Sequence, residues 1–266
     1  MGPGQGPEPG RWAYSESPLI DGNLLICAPG GEEATLLALN KMSGDLVWKS
    51  SIPEGGQAAY SSTIIATIGG KKHYVQFLQN SLVGVDAANG KLLWQYAKTS
   101  QGSPANIPTP IAHNNHIYSA SNHGGGSLIQ IKTDQDKIMV EEVYHSPKLP
   151  RAVGGTLLVD GYLYGTTEKA MQCVDFMTGQ IKWSDRSVGS ASFCYADGRL
   201  YVHGEAGEVA LVDPTPDAYR EQGRFTPPDQ PNVGQAKAWA YPVVANGRMY
   251  IRDFGTLSCY DVKEKE

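Results

Sequence analysis

The chain has 266 residues, 22 basic against 27 acidic side chains, a net charge of −5 and 41% apolar residues. That balance excludes a nucleic-acid binder built on a basic stripe, because neutralising phosphates takes clustered Lys and Arg, and no apolar run approaches membrane-spanning length. With 31 Gly and 17 Pro and no sustained 3.6-residue apolar period, long helices are excluded as well, and one all-β domain is expected.

Residues 1–10 are rich in Gly and Pro and lack the apolar stretch of a signal peptide, so 1–11 reads as a flexible leader. The first predicted repeat, 12–56, sets Asp21-Gly22 between two apolar runs, then Leu24-Leu25-Ile26, then Asn40, Gly44 and Trp48. The second, 57–102, repeats the series with Gly69-Gly70, His73-Tyr74-Val75, Asp86, Gly90 and Trp94. The third, 103–147, has Asn114-Asn115 and Ile117-Tyr118, with Ile131-Lys132 as a degenerate second half. The fourth, 148–190, restores the full pattern: Asp160-Gly161, Leu163-Tyr164, Asp175, Gly179 and Trp183. The fifth, 191–236, carries Asp197-Gly198, Leu200-Tyr201-Val202 and Val212-Asp213, then an insert at 215–221 expected to form a single helical turn. The sixth, 237–266, has Asn246-Gly247, Met249-Tyr250-Ile251 and Tyr260-Asp261.

A pair such as Asp-Gly or Asn-Gly between apolar runs is the chemistry of a two-residue type I′ or II′ hairpin. The second signature recurs at steps of 46, 46, 43, 38 and 48 residues. Strand after strand at that period is the range of propeller blades, and six blades of four antiparallel strands are expected. Trp48, Trp94 and Trp183 share one register, so they are expected on outer strands, each stacked on an adjoining blade. Cys173 and Cys259 share a column with Ala38, Gly84 and Leu211, which reads as inter-blade packing. Cys27 and Cys194 lie in strand-like runs, and four cysteines without a C-x-x-C give little support to a zinc or redox site.

The segments at 38–48, 84–94 and 173–183, with their shared Gly-x-x-x-Trp ending, resemble the tryptophan-docking motif of pyrroloquinoline-quinone-binding-like (PQQ-like) β-propeller repeats. This family includes quinoprotein alcohol dehydrogenases and the outer-membrane assembly lipoprotein BamB, and the match runs over residues 12–266. The stretches 11–18 and 223–228 look closest to secreted bacterial members. The resemblance implies a periplasmic or secreted protein. It also implies pyrroloquinoline quinone with calcium for catalytic members, but the adjacent Cys-Cys pair and the calcium ligand set of those enzymes have no counterpart here, so no cofactor is expected and tight quinone binding is disfavoured.

If strands alternate in direction, the two short turns of each blade share one end, and the longer connections share the other, where a ligand is expected. The candidates there are Trp12, Tyr14, Glu16, Tyr60, Asn106, His123, Arg151, His203, Glu205, Trp239, Arg252 and Asp253. Each has a plain alternative. His203 and Glu205 have the spacing of neighbours on one strand face, which gives a surface hydrogen bond more readily than a metal pair. His123 beside three glycines fits a loop tip, and Glu16 fits a pair with Arg11. No nucleophile, base and orienting group can be assembled, and no metal site is expected.

The sixth repeat stops before a Gly-x-x-x-Trp strand. Either six blades close weakly, or the chain is the C-terminal part of a larger propeller of about eight blades; the strand near 256–262 would then offer an edge for self-association. Three functions remain open: a non-catalytic envelope or secreted module binding a protein or carbohydrate, a quinone-dependent alcohol or sugar dehydrogenase, and a hydrolase or lyase using a loop carboxylate or His.

Overall fold

The computed structural model describes residues 14–100, 105–135, 137–228 and 237–263. The leader 1–11 and Trp12 lie outside the described residues. The chain packs as two compact units, Met1–Lys148 and Leu149–Glu266.

The first unit holds three antiparallel sheets, each a simple meander. Its first sheet is β1 (Leu19–Asp21), β2 (Leu24–Cys27), β3 (Leu36–Asn40) and β4 (Leu46–Ser50). Its second is β5 (Ile64–Ile68), β6 (Lys71–Phe77), β7 (Leu82–Asp86) and β8 (Leu92–Tyr96), followed by a 3-10 turn at Lys98–Ser100. Its third is β9 (Ile111–His113), β10 (His116–Ser121), β11 (Gly125–Asp134) and β12 (Lys137–Ser146). The second unit holds β13 (Thr156–Val159), β14 (Tyr162–Thr166), β15 (Met171–Asp175) and β16 (Ile181–Asp185); then β17 (Ala191–Ala196), β18 (Arg199–Gly204), β19 (Val209–Val212) and β20 (Glu221–Phe225). Its last sheet has three strands, β21 (Val243–Ala245), β22 (Arg248–Asp253) and β23 (Thr256–Asp261).

The first hairpin of each sheet turns where the residue chemistry demands it. Gly69-Gly70, Asp160-Gly161, Asp197-Gly198 and Asn246-Gly247 all hold positive φ at both central residues, the mark of type I′. Asn114-Asn115 turns at the expected place with positive φ at Asn114 alone, and the first hairpin is displaced by one residue. Its turn is Gly22-Asn23, because Asp21 pairs with Leu24 inside the ladder. Asp21 is held there by the second sheet: its carboxylate accepts from Lys72 Nζ at 2.7 Å and Tyr74 Oη at 2.7 Å.

The second hairpin explains the Asn/Asp-x-x-x-Gly-x-x-x-Trp signature. Asn40 Oδ1 accepts from the amides of Met42 and Ser43, Asp175 Oδ1 does the same for Met177 and Thr178, and Gly44, Gly90 and Gly179 follow at positive φ. A β-bulge then falls at the same place in each copy, after Ala38, Gly84 and Cys173. It brings Trp48, Trp94 and Trp183 directly opposite those small residues.

Trp48 Nε1 donates to Ala87 O at 3.3 Å and Trp183 Nε1 to Thr215 O at 2.8 Å, so both dock on the turn of the following sheet. Trp94 also packs its ring on the following sheet, with Ile117, Ile129 and Ile131, but its Nε1 differs from the other two in donating to His73 Nδ1, 3.1 Å away in its own sheet. Residues 215–221 form no helical turn; 215–220 run as a bent connection that seats Tyr219 edge-on against Trp183, and Glu221 opens β20. Of the cysteine column, Cys173 is buried as expected, but Cys259 is exposed, because it lies on the face of the last sheet that nothing described covers.

Candidate functional site

In each four-stranded meander the first and third connections lie at one end, and the second connection lies at the other with the segments that join successive sheets. In the second unit the connection end is organised by residues 237–241, an extended segment leading into β21. Exposure alternates along it: Lys237, Trp239 and Tyr241 point outward, while Ala238 is buried and Ala240 half-buried. That alternation is the period of an extended chain with one side pinned down.

The pins are the predicted residues His203 and Glu205. Glu205 Oε1 accepts from Trp239 Nε1 and Ser190 Oγ, each at 3.0 Å, and its Oε2 lies 2.6 Å from Lys237 Nζ. Its backbone oxygen accepts from the Ala238 amide at 3.1 Å, and Ser192 Oγ donates to Trp239 O at 2.9 Å. His203, fully buried, places Nδ1 3.2 Å from Ala240 O. The two side chains thus take separate partners and do not bond to each other, which corrects the expectation of a mutual contact. Tyr241 Oη reaches back to Val153 O at 3.3 Å, beside Gly155 at positive φ.

The first unit has two smaller groupings at its connection end. Tyr60 N donates to Asn106 O at 3.2 Å, and buried Asn106 closes the β6–β7 turn by donating from Nδ2 to Leu78 O at 2.7 Å and Gln79 O at 3.0 Å. Burial raises the Tyr60 phenol. Tyr14 and Glu16 both cap the end of β2, Tyr14 Oη donating to Pro29 O at 2.9 Å and Glu16 Oε1 accepting from the Ala28 amide at 2.8 Å. Burial raises the Glu16 carboxyl despite that bond, and burial, with the Glu16 charge adding to it, pushes the Cys27 thiol up to about 11.

The remaining candidates stand apart. His123 is exposed in the turn between β10 and β11, Arg151 donates its amide to Thr166 O at 2.9 Å, and Arg252 Nε turns to Phe254 O at 3.2 Å. Asp253 is buried. Sequence reasoning passed over Lys237, Ser190, Ser192 and Tyr241; the alternating Lys-Ala-Trp-Ala-Tyr was the available signal.

Seven buried side-chain atoms have no hydrogen-bond partner among the described residues: five at the connection ends, Tyr60 Oη and Asn106 Oδ1 in the first unit and Gln172 Oε1, His203 Nε2 and Asp253 Oδ1 in the second, and two nearer the turns, His73 Nε2 and Asp213 Oδ1, the latter ion-paired with Arg199 Nε at 3.2 Å. A buried polar atom left so costs about 1–3 kcal/mol, and native structures keep few. No group of three or more metal-ligating side chains occurs among the described residues.

The repeated meanders, the bulge at one register and the docked tryptophans define a β-propeller of PQQ-like repeats. The chain belongs to the family described as outer membrane protein assembly factor BamB, whose profile matches residues 9–185. No curated protein matches it. Among solved structures it is similar to Sqt1 of Saccharomyces cerevisiae, with a TM-score of 0.68 and 12% identity over 90% of this chain and 69% of that one. The computationally designed Ika8 protein gives 0.64 and 10% over 94% and 71%. BamB from Moraxella catarrhalis gives 0.48 and 15% over 93% and 86%. At these identities Sqt1 and Ika8 speak for the fold alone.

Proposed function

We propose that this chain is a non-catalytic binding module of the bacterial envelope or secreted fraction, which takes a protein ligand at the connection end of its sheets. The observation that carries the reading is that five of the seven unpartnered buried polar atoms among the described residues lie at that end. Membership in the BamB family supports an envelope location and a protein ligand.

A quinone with calcium does not fit the residues present. Both oxygens of Glu205 are already engaged by Lys237, Trp239 and Ser190, so it cannot take a calcium ion without releasing 237–241. Cys27, Cys173, Cys194 and Cys259 lie on four separate strands, and no adjacent pair can form the clamp over a quinone.

The test is photo-crosslinking in envelope fractions, with the crosslinker at Tyr241 and, as a control, at exposed Met177 in a short turn. One defined protein adduct from position 241 and none from 177 is expected; equal adducts from both overturn the reading. Dye reduction on addition of quinone and calcium would overturn the non-catalytic part.

A further inference from the structure

Away from the connection-end groupings, five side chains of the first unit form one continuous hydrogen-bonded line. Lys98 Nζ donates to Glu142 Oε1 at 2.7 Å and Oε2 at 3.0 Å. Tyr96 Oη lies 2.6 Å from Glu142 Oε2 and 2.8 Å from Ser127 Oγ, and Ser127 Oγ lies 2.8 Å from His145 Nδ1. Tyr96 and Lys98 come from the second sheet and its following turn, the others from β11 and β12 of the third. Glu142 and His145, three residues apart, would face opposite ways on a regular strand. The register of β12 shifts between them, with Ile129 opposite Glu142 and Leu128 opposite Tyr144, and this brings both onto the face of Ser127.

Counting protons settles the direction of the line. Three contacts need three hydrogens, and each hydroxyl has one. With Glu142 ionised, Tyr96 donates to the carboxylate, Ser127 must donate to Tyr96, and the third hydrogen must come from His145 Nδ1. The opposite direction requires a protonated Glu142. Lys98 opposes that: although burial raises the carboxyl, the bonds from Lys98 and Tyr96 outweigh it and hold Glu142 below its ordinary range.

We propose that Glu142, acting through Tyr96 and Ser127, fixes neutral His145 as the Nδ1–H tautomer and so presents Nε2 as a base that takes up protons from solvent. Nε2 makes no hydrogen bond to the described residues, and the ring is half-buried. The charges acting on the ring are Lys98 from the second sheet and Glu142 from its own strand. Burial first, then Lys98, lowers its affinity for a proton and keeps it neutral near neutral pH, with Glu142 opposing. Glu142, Tyr96 and Ser127 are positioning residues, since which ring nitrogen is protonated is set by the bond the other makes.

The test is a nitrogen-15 NMR spectrum of the imidazoles in the full chain at neutral pH, which separates the two tautomers by chemical shift and by coupling to the ring protons. Wild type is expected to show His145 with Nδ1 protonated. Tyr96→Phe removes the acceptor that the Ser127 hydroxyl has among the described residues, so the hydroxyl then turns to donate to Nδ1, and His145 is expected to switch to the Nε2–H tautomer. Should Tyr96→Phe not fold, Ser127→Ala reads the same point by removing the acceptor at Nδ1. A wild-type ring protonated on Nε2, or one whose tautomer is unchanged in whichever variant folds, overturns the proposal.

Discussion

Trp94→Ala tests whether docking tryptophans hold the sheets together. Trp94 is 4% exposed, its indole lies over Gly84, and its Nε1 is bonded to a fully buried His73. Removing a buried aromatic side chain costs about 3–5 kcal/mol. Orphaning the His73 acceptor adds about 1–3 kcal/mol. The sum is about 4–8 kcal/mol, and collapse of neighbours around Gly84 brings the expectation to the lower half, still most of a typical domain stability of about 5–15 kcal/mol. Trp94→Phe keeps most of the ring and loses the bond, so it should cost only about 1–3 kcal/mol. Urea unfolding read by amide exchange reports each unit separately, and the second unit serves as the control. A loss under about 1 kcal/mol for Trp94→Ala, or a Phe variant as damaged as the Ala variant, would refute this account of the repeat.

Glu205→Ala should free the 237–241 segment: exchange at Ala238 accelerates, β15 is unaffected, and the global loss is about 1–3 kcal/mol, since the exposed Lys237 pair adds under about 1. Glu16→Gln keeps an acceptor for the Ala28 amide but removes a carboxyl whose folded pKa is raised by burial. A raised carboxyl makes stability fall as pH rises from its unfolded pKa through its folded one, so the variant should be more stable than wild type at neutral pH and lose that advantage in acid, as melting against pH will show. Alkylation should label exposed Cys259 first and leave Cys27 and Cys173, whose thiols burial pushes up to about 11, unmodified until unfolding. β23 pairs only with β22 among the described residues, so its amides should exchange faster than those of β15, which is paired on both sides; protection that grows with protein concentration would instead mark self-association through 256–262.

The repeat was legible because its signals are local. Positive φ at Asp160-Gly161 or Asn246-Gly247 is decided by two residues, and the Asp175–Gly179 turn by five. What was not legible depends on partners distant in sequence. Asp21 stays in its strand because Lys72 and Tyr74 of another sheet hold it there. Trp94 turns back to His73 although it shares the register of Trp48 and Trp183. At the connection end, residue type alone marked His203, Glu205 and Trp239, but not that two of them would be occupied in holding the third's segment.

The two ends of the sheets differ in how their polar groups are satisfied, and this bears on where function can reside. At the turn end, the repeat supplies most of its own partners: Asn40, Asp86 and Asp175 each accept amides within their own hairpin, with His73 Nε2 and Asp213 Oδ1 left over. At the connection end no repeated residue does this work, and each copy solves the problem differently, Gln76 through Thr63 and Ser61, Asn106 through Leu78 and Gln79, His203 through Ala240. One-off solutions leave remainders, and Asn106 Oδ1 and His203 Nε2 are two of them. A remainder costing about 1–3 kcal/mol in a fold with little stability to spare is tolerated when something that binds there offsets it. On that argument the proposed ligand is expected at the connection end, the part of the molecule that the repeat does not dictate.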